Sequence, residues 1–520
     1  MQEGVCARSS VRLANACTNS HDRHDGFIRA STSATQTRET KVIEKRKFYI
    51  NGSWVAPHTP KDLEVIDPSS EDACAVISLG GKADTDAAVA AAKTAFADWA
   101  ATPFEQRLAL VERILEIYNA RADEMAEAIS MEMGAPIDMS KEQQVPSGSW
   151  HIGNFIKAAK NFRFVRPLGD HAPDNRIVHE PVGVCALITP WNWPMNQVTL
   201  KVIPALLTGC TMILKPSEIA PLNAMLFAEI VHDAGVPAGV FNLVNGDGAG
   251  VGTQLSGHPD VDMVSFTGST RAGIAISKNA ADTLKRVHLE LGGKGANIIF
   301  ADADEKAVKR GTLHCFNNTG QSCNAPTRML VQRDIYDEAV ETARATAEAC
   351  KVGLASENGR HVGPVVSQAQ FDKIQDLIGM GIAEGARLVA GGPGRPEGFN
   401  RGYFVRPTVF ADVNNQMTIA REEIFGPVLS IIPFDTEEEA IAIANDTPYG
   451  LTDYVQSQDG EKRNRVARQL RAGMIEMNGR PRGAGAPFGG MKASGNGREG
   501  GVWGLEDFTE VKAVSGWADA

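Results

Sequence analysis

Three side chains from separate stretches of the chain suit the steps of one covalent reaction. Cys323 follows Gly320, Gln321 and Ser322 in FNNTGQSCNAPTR, a polar, turn-rich segment that leaves a thiol accessible. A nucleophilic cysteine needs room for a substrate and a lowered pKa; an ordinary loop cysteine fits the same fragment. Cys185 and Cys210 lie within or beside apolar runs, as packing residues do. Glu290 ends an apolar run in VHLELGGKGANIIF and is followed by Gly292 and Gly293. A carboxylate at a buried strand end is costly unless it works or is paired. Partial desolvation would raise its pKa towards that of a base able to activate water. The alternative reading is a surface Glu beside a turn. Asn192 sits in ITPWNWP between two tryptophans, with Pro190 and Pro194 fixing the backbone. A rigid amide donor stabilises charge developing on an oxyanion, although Asn in a proline-containing loop also serves simply as a turn residue.

A second group of segments suits a dinucleotide. KPSE places Lys215 and Glu218 at a strand end, and in FTGSTRAG a strand runs through Gly268 into a helix. Backbone amides and Ser269 at that helix start would cradle a pyrophosphate. A carboxylate such as Glu218 accepts from a ribose hydroxyl and repels a 2'-phosphate, which favours NAD while leaving NADP open. Lys215 is placed to reach a ribose or phosphate. GDGAGVG, residues 246–252, alternates glycines but lacks the last glycine of the usual fingerprint, and reads as a loop ending a strand.

These residues need elements to hold them. KFYINGSWV flanks Asn51-Gly52 with alternating apolar residues, a hairpin signal. Asp84 is placed to cap an Ala-rich helix carrying Val89, Ala92, Phe96 and Trp99 on one face. A second helix carries Leu108, Val111, Leu115 and Tyr118. From Val182 the runs VGVCALITP, CTMILKPSE, GVFNLVNG and VDMVSFTGS alternate with helical stretches. Strands that are apolar throughout are buried on both faces, so a parallel sheet between helices is implied. A second series follows Glu290 in ANIIFAD, RMLVQ, GARLVAGG and PVLSIIPF. FRFVRPLGDHAPDNRIVHEPV reads as a protruding hairpin, with EVKAVSGW as a candidate third strand.

With 520 residues the chain is expected to form two or three compact units. A net charge of -11 without a basic run argues against nucleic acid or an anionic membrane as partner. Eight scattered cysteines without a CxxC pair point to a reduced cytoplasmic protein with no disulfide framework and no structural metal. No run reaches the ~18 apolar residues of a membrane span. Residues 1–42 mix Arg8, Arg12, Arg23, Arg29 and Arg38 with Ser, Thr and Asn, and read as a disordered arm. A transit peptide, which Glu3, Asp22, Asp25 and Glu39 disfavour, and a mis-assigned start are the alternatives.

In this order the segments resemble the aldehyde dehydrogenase superfamily from about Lys47 to Val514. EEIFGPV at Glu422 to Val428 and PFGGMKASGNGREGG at Pro487 to Gly501 extend the match. The resemblance implies an α/β fold with a Rossmann-type NAD-binding domain, residues 43–163 and 183–291. It further implies an α/β catalytic domain, 292–505, and a β-hairpin oligomerisation element, 164–182 and 506–520, in a homodimer or homotetramer. Carried over, Cys323 matches the nucleophile, Glu290 the general base, and Asn192 with the Cys323 amide the oxyanion hole. Glu423 and Phe425 match holders of the nicotinamide ribose, and Trp191, Lys215, Glu218 and Ser269 match cofactor contacts. Ile188, Thr189, Ser217, Gly248, Phe266, Gly268 and Leu291 join the implied NAD site. Glu499 matches a carboxylate that moves protons in some members. The implied reaction is thiolate attack on a small-molecule aldehyde, hydride transfer to NAD, and hydrolysis of the thioester by water that Glu290 deprotonates. A base at that position separates the chain from the CoA-acylating relatives.

The substrate pocket departs from that of members acting on simple aldehydes, where aromatic or apolar residues are usual. Trp193, Gln197, Asn317, Arg482 and Phe488 are its candidates here, with Arg480 close in sequence. A partly polar pocket suits an aldehyde with a second polar or anionic group, such as a semialdehyde, unless Arg482 is salt-bridged away. Two other classes compete. A papain-like thiol hydrolase lacks its local signature here and has no support from His314. A non-catalytic structural or binding member would have no reason to retain thiol, base and amide donor together.

Overall fold

The continuous apolar runs between Val182 and Glu290 become five parallel strands in the computed structural model, which describes residues 42–518. The expectation of a disordered arm lies, apart from Val42, outside the described residues. The strands are Val184–Ile188, Thr211–Lys215, Phe241–Leu243, Met263–Thr267 and Arg286–Glu290. Every residue of the first four is buried, which is why none shows a polar alternation. Across the sheet they run Arg286–Glu290, Met263–Thr267, Val184–Ile188, Thr211–Lys215, Phe241–Leu243, followed by Phe48–Ile50 and Ser53–Val55. The last two form the expected hairpin, with Asn51 at φ 51° and Gly52 at φ 76° giving the left-handed pair that such a turn needs.

Helices cover this sheet. Lys82–Ala101 buries Val89, Ala92 and Trp99 and leaves Phe96 half-buried. The expected cap moves three residues back: Gly81 is the N-cap. Asp84 lies inside the first turn, where its carboxylate accepts from Gly81 N at 2.9 Å and His58 N at 2.7 Å. The carboxylate still serves the helix start, because it satisfies the orphan amide from within. Phe104–Ala120 buries Val111, Ile114 and Tyr118, while Leu108 and Leu115 are only half-buried. Pro194–Thr208 is buried all round except at Asn196, packs on Val145–Lys160, and carries Gln197 and Lys201 towards the sheet edge.

The second series builds another seven-stranded sheet. Its order is Arg387–Ala390, Thr408–Ala411, Val428–Phe434, Arg328–Gln332, Ala296–Ile299, Thr452–Gln456, Met474–Met477. All neighbours are parallel except the GARLVAGG strand, which is an antiparallel edge. The hairpin Val165–Gly169 with Ala172–Pro181 pairs with the closing strand Thr509–Val514, as its pattern suggested. A small sheet of Ile43–Lys45, Asp72–Ser78 and Asp62–Asp67 was not foreseen. Among the described residues no helix is long and apolar enough to cross a membrane.

Residues 291–295 carry the chain directly from Glu290 at the end of the first sheet into the second. A Cβ on Gly293 would lie 2.2 Å from the Cys323 carbonyl oxygen, so only glycine permits this crossing. The crossing is anchored by Arg328, a wholly buried residue. Its Nε donates to Lys294 O at 3.0 Å, Nη1 to Asn415 Oδ1 and Ile443 O at 2.9 Å, and Nη2 to Ala444 O at 2.9 Å. It thereby ties the crossing to the end of helix Glu437–Asn445. Arg328→Met would leave these acceptors unpaired in the interior and should lower unfolding stability by ~3 kcal/mol or more. A denaturant midpoint unchanged from the parent would refute that role.

Candidate active site

Cys323 lies in the loop between helix Ala307–Phe316 and strand Arg328–Gln332. Asn318 and Thr319 turn the chain there with φ of 52° and 57°, a left-handed pair sustained only when neighbours over-determine it. Side-chain amides do so. Asn192 Nδ2 donates to Gln321 O at 3.0 Å, and Asn318 Nδ2 donates to Asn192 O at 2.8 Å. Gln144 Nε2 donates to both Asn192 O and Asn318 Oδ1 at 3.1 Å. Trp193 Nε1 donates to Ser322 Oγ at 2.8 Å. Asn192 thus spends one amide N–H on the loop and has a second to give. Burial, then Glu423 and Glu290, push the Cys323 thiol well above its ordinary pKa, with Arg482 opposing. The chain's own groups therefore work against the lowered value that a nucleophile needs.

Glu290 is 1% exposed, and neither carboxylate oxygen has a hydrogen-bond partner among the described residues. His288 Nε2 stands 3.8 Å from Oε1. A Cβ on Gly489 would lie 2.5 Å from that oxygen, so glycine leaves the space beside it. Burial, reinforced by Glu499, raises the Glu290 pKa far above the carboxylate range. The PFGGMKASGNGREGG segment brings Glu499 alongside: Leu291 N donates to Ser494 O at 3.0 Å, and Phe488 and Glu499 exchange backbone bonds of 2.8 and 2.7 Å. Glu499 Oε1 accepts from the buried Lys201 Nζ at 2.6 Å, and Lys201 also donates to Ser265 Oγ at 3.1 Å. Glu499 Oε2 is buried and unpartnered among the described residues. Glu290, Glu499 and Lys201 form a buried run of ionisable groups.

The first sheet reverses its strand order beside Val184–Ile188, where ligands settle against the carboxyl ends of strands. Ile188, Thr189 and Trp191 leave one strand end; Phe266, Gly268 and Ser269 leave its neighbour. Thr189 N donates to Lys215 O at 3.1 Å, which joins the next strand end to this crevice. Lys215 is 3% exposed, and its Nζ donates to Pro216 O at 2.8 Å and Glu218 Oε2 at 3.2 Å; burial lowers its pKa. Ser217 Oγ accepts from Ile219 N at 3.3 Å. Ser269 caps helix Thr270–Ala280, with Oγ accepting from Ala272 N at 3.3 Å. Phe266 packs over Gly268, Leu291 packs over Gly273, and Gly248 faces open space. On the other side Glu423 Oε1 accepts from Gly293 N at 2.9 Å, and burial raises its pKa. Phe425, at φ 60°, meets Trp191 edge-on with ring centres 5.4 Å apart. Two carboxylates for ribose hydroxyls, with a lysine and a helix start between, fit a dinucleotide. Among the described residues no group of three or more His, Cys, Asp and Glu is placed to hold a metal.

A cavity of about 450 Å³ opens on Cys323. Trp193, Gln197, Arg482, Phe488 and Glu499 line it, together with His151, Asn196 and Glu476, which sequence reasoning passed over. His151 lies on a helix face with no motif around it, whereas Asn196 sits two residues past ITPWNWP and beside Gln197, a signal that could have found it. Both open readings of Arg482 hold in part: it lines the cavity and pairs with Glu476 at 3.1 Å. Asn317 is a correction. It borders a separate cavity and donates to Gln143 Oε1 at 3.0 Å, because the turn at Asn318 points it away from Cys323.

Comparison with known proteins agrees with this geometry. The aldehyde dehydrogenase family profile matches residues 54–514. The 3-succinoylsemialdehyde-pyridine dehydrogenase of a Pseudomonas species is 52% identical over 477 residues, 91% of this chain and 98% of that protein. An aldehyde dehydrogenase structure from Bartonella henselae superposes with a TM-score of 0.91 at 63% identity, covering 92% of this chain and 100% of that one. Aldehyde dehydrogenase C of Pseudomonas syringae, a cysteine-to-alanine mutant complexed with NAD+ and octanal, gives a TM-score of 0.89 at 50% identity, covering 91% and 97%. The thiol loop, the buried carboxylates and the strand-end crevice thus stand in a chain that belongs to the aldehyde dehydrogenase family.

Proposed function

We propose that the protein oxidises an aldehyde to a carboxylic acid with NAD, through a thioester on Cys323. The observation that carries this is that the Cys323 thiol opens on a cavity while the Asn192 amide is bonded to its loop and the Glu290 carboxylate, with no hydrogen-bond partner among the described residues, stands close enough to raise the thiol's pKa. Residues 43–163 and 183–291 form the NAD-binding domain, 292–505 the catalytic domain, and 164–182 with 506–520 the oligomerisation element. The exposure of Val165, Leu168 and Val511 on the three-stranded sheet supports assembly into a homodimer or homotetramer. The free state of all six described cysteines supports a reducing, cytoplasmic location. The semialdehyde named for the Pseudomonas relative supports a polar aldehyde as substrate.

In this reading the Cys323 sulfur attacks the carbonyl carbon, and the free Asn192 N–H and the Cys323 backbone amide hold the oxyanion. NAD supplies the hydride acceptor and a positive charge when bound. Glu218 would hold a ribose hydroxyl, Lys215 and Ser217 a ribose or phosphate and the helix start at Ser269 the pyrophosphate, while Glu423 and Phe425 would hold the nicotinamide ribose and Trp191 would add a further contact. Ile188, Thr189, Gly248, Phe266, Gly268 and Leu291 shape the crevice. Glu290 takes a proton from the water that cleaves the thioester, and Glu499 with Lys201 carries it away. The absence of a hydrogen bond to Glu290 among the described residues supports its oxygens being free for that water.

Two outcomes test the assignment. Glu290→Gln should release about one NADH per active site and then stall, since acylation survives and hydrolysis fails, whereas Cys323→Ala should release none. Steady turnover in either variant would overturn the roles. The pH profile follows from the signs: both groups act deprotonated, and the fold raises both pKa values. The base forms therefore accumulate only as pH climbs through those raised values, so kcat/KM, which reports the thiol step, and kcat where hydrolysis limits it should both rise with pH from ~7 upwards. A flat profile across that range would contradict the burial argument.

A further inference from the structure

The far wall of the cavity carries polar groups that the chemistry at Cys323 does not use. Arg482 donates through Nε to Glu476 Oε1 at 3.1 Å, and its guanidinium carbon lies 4.8 Å from the centre of the Phe488 ring. This anchorage fixes the plane of the group and leaves Nη1 and Nη2 without a hydrogen-bond partner among the described residues. On the neighbouring wall His151 Nε2 accepts from Asn196 Nδ2 at 2.9 Å. An amide nitrogen only donates, so the His151 proton sits on Nδ1, which has no partner among the described residues either. Burial, with Arg482 adding to it, holds the His151 pKa down to about 3, so the ring is neutral at any working pH. Trp150, Trp193 and Phe155 supply flat apolar walls between these donors.

The charges around this wall already cancel. Arg482 is matched by Glu476, and Glu499 by Lys201. A carboxylate entering here would lose its hydration and meet two carboxylates with no surplus cation, a cost that an already paired guanidinium does not offset. A neutral oxygen or nitrogen acceptor brings no charge and receives a charge-assisted hydrogen bond from Arg482 Nη. We infer that the cavity selects flat, neutral aldehydes whose far end carries a hydrogen-bond acceptor, a ketone or ring nitrogen, with Arg482 and His151 as the specificity-determining donors. The inference rests on the reading of the chain as an aldehyde dehydrogenase.

The test compares kcat/KM for NADH formation with 4-acetylbenzaldehyde, 4-isopropylbenzaldehyde and 4-carboxybenzaldehyde, near-isosteres bearing a neutral acceptor, an apolar group and an anion. Propanal serves as the control for the reaction itself. The acetyl compound should exceed both others by about 10- to 100-fold, the span of one buried hydrogen bond to a charged donor. Arg482→Met should bring the acetyl to isopropyl ratio close to one. His151→Phe, which leaves the ion pair with Glu476 intact, should lower that ratio as well. A preference for the carboxylate, equal use of acetyl and isopropyl compounds, or a preference that survives both substitutions overturns the inference while leaving the oxidation itself standing. Failure to oxidise propanal as well as the three benzaldehydes would overturn the enzyme assignment together with it.

Discussion

A carboxylate buried at the junction of two sheets, with no hydrogen-bond partner among the described residues, is the constraint around which this protein is arranged. Glu290 is the last residue of one sheet, and after five connecting residues the chain enters the other. Leaving its oxygens unpaired is expensive, and the surrounding sequence keeps them so. Gly489 leaves space beside Oε1, and Gly293 lets the crossing lie against the Cys323 carbonyl. Lys201, a buried ammonium group whose charge reaches Glu290, is committed to Glu499. The raised pKa of Glu290 is the physical trace of that cost, and it is also what suits a carboxylate to accept a proton from water.

The same junction explains how a thiol on a loop can be held accurately. The Cys323 loop belongs to the second sheet, yet several groups that brace it come from the first: Asn192 and Trp193 beyond a strand end, and Gln144 from the helical layer. A left-handed pair at Asn318 and Thr319 is tolerated because side-chain amides fill the exposed backbone positions. The amide that would stabilise an oxyanion is therefore also one that positions the nucleophile, and the two cannot drift apart independently. Arg328 performs the corresponding service beneath the crossing, fixing Lys294 O from the strand that follows the thiol loop.

Charge balance governs the cavity as unsatisfied charge governs the proposed base. Glu476 neutralises Arg482 without covering its outer nitrogens, and His151 contributes a proton donor but no charge. Polarity in the pocket thus comes without a net field. That separates a pocket that recognises polar groups from one that recognises ions, a distinction invisible in a count of charged residues.

Local physics made much of this legible from residues alone. Apolar runs free of polar alternation required doubly covered parallel strands, Asn51-Gly52 required a hairpin, and a carboxylate closing a buried strand at Glu290 announced an unusual environment. Cys323, Asn192, Lys215 and Glu218 stood out because each followed a strand or turn whose ends are the exposed, functional parts of such sheets. Other features depended on contacts between segments far apart in sequence. Asp84 proved to serve the helix from inside its first turn, since capping depends on where the backbone bends rather than on residue type. Asn317 turned away from the thiol because its two successors adopt φ values that no propensity forecasts. His151 and Glu476 lie on elements without any motif and meet Asn196 only across packed helices and loops. Residue chemistry and short-range geometry determined which groups were able to react, whereas packing between elements decided which of them meet, which are already paired, and what charge is left facing the cavity.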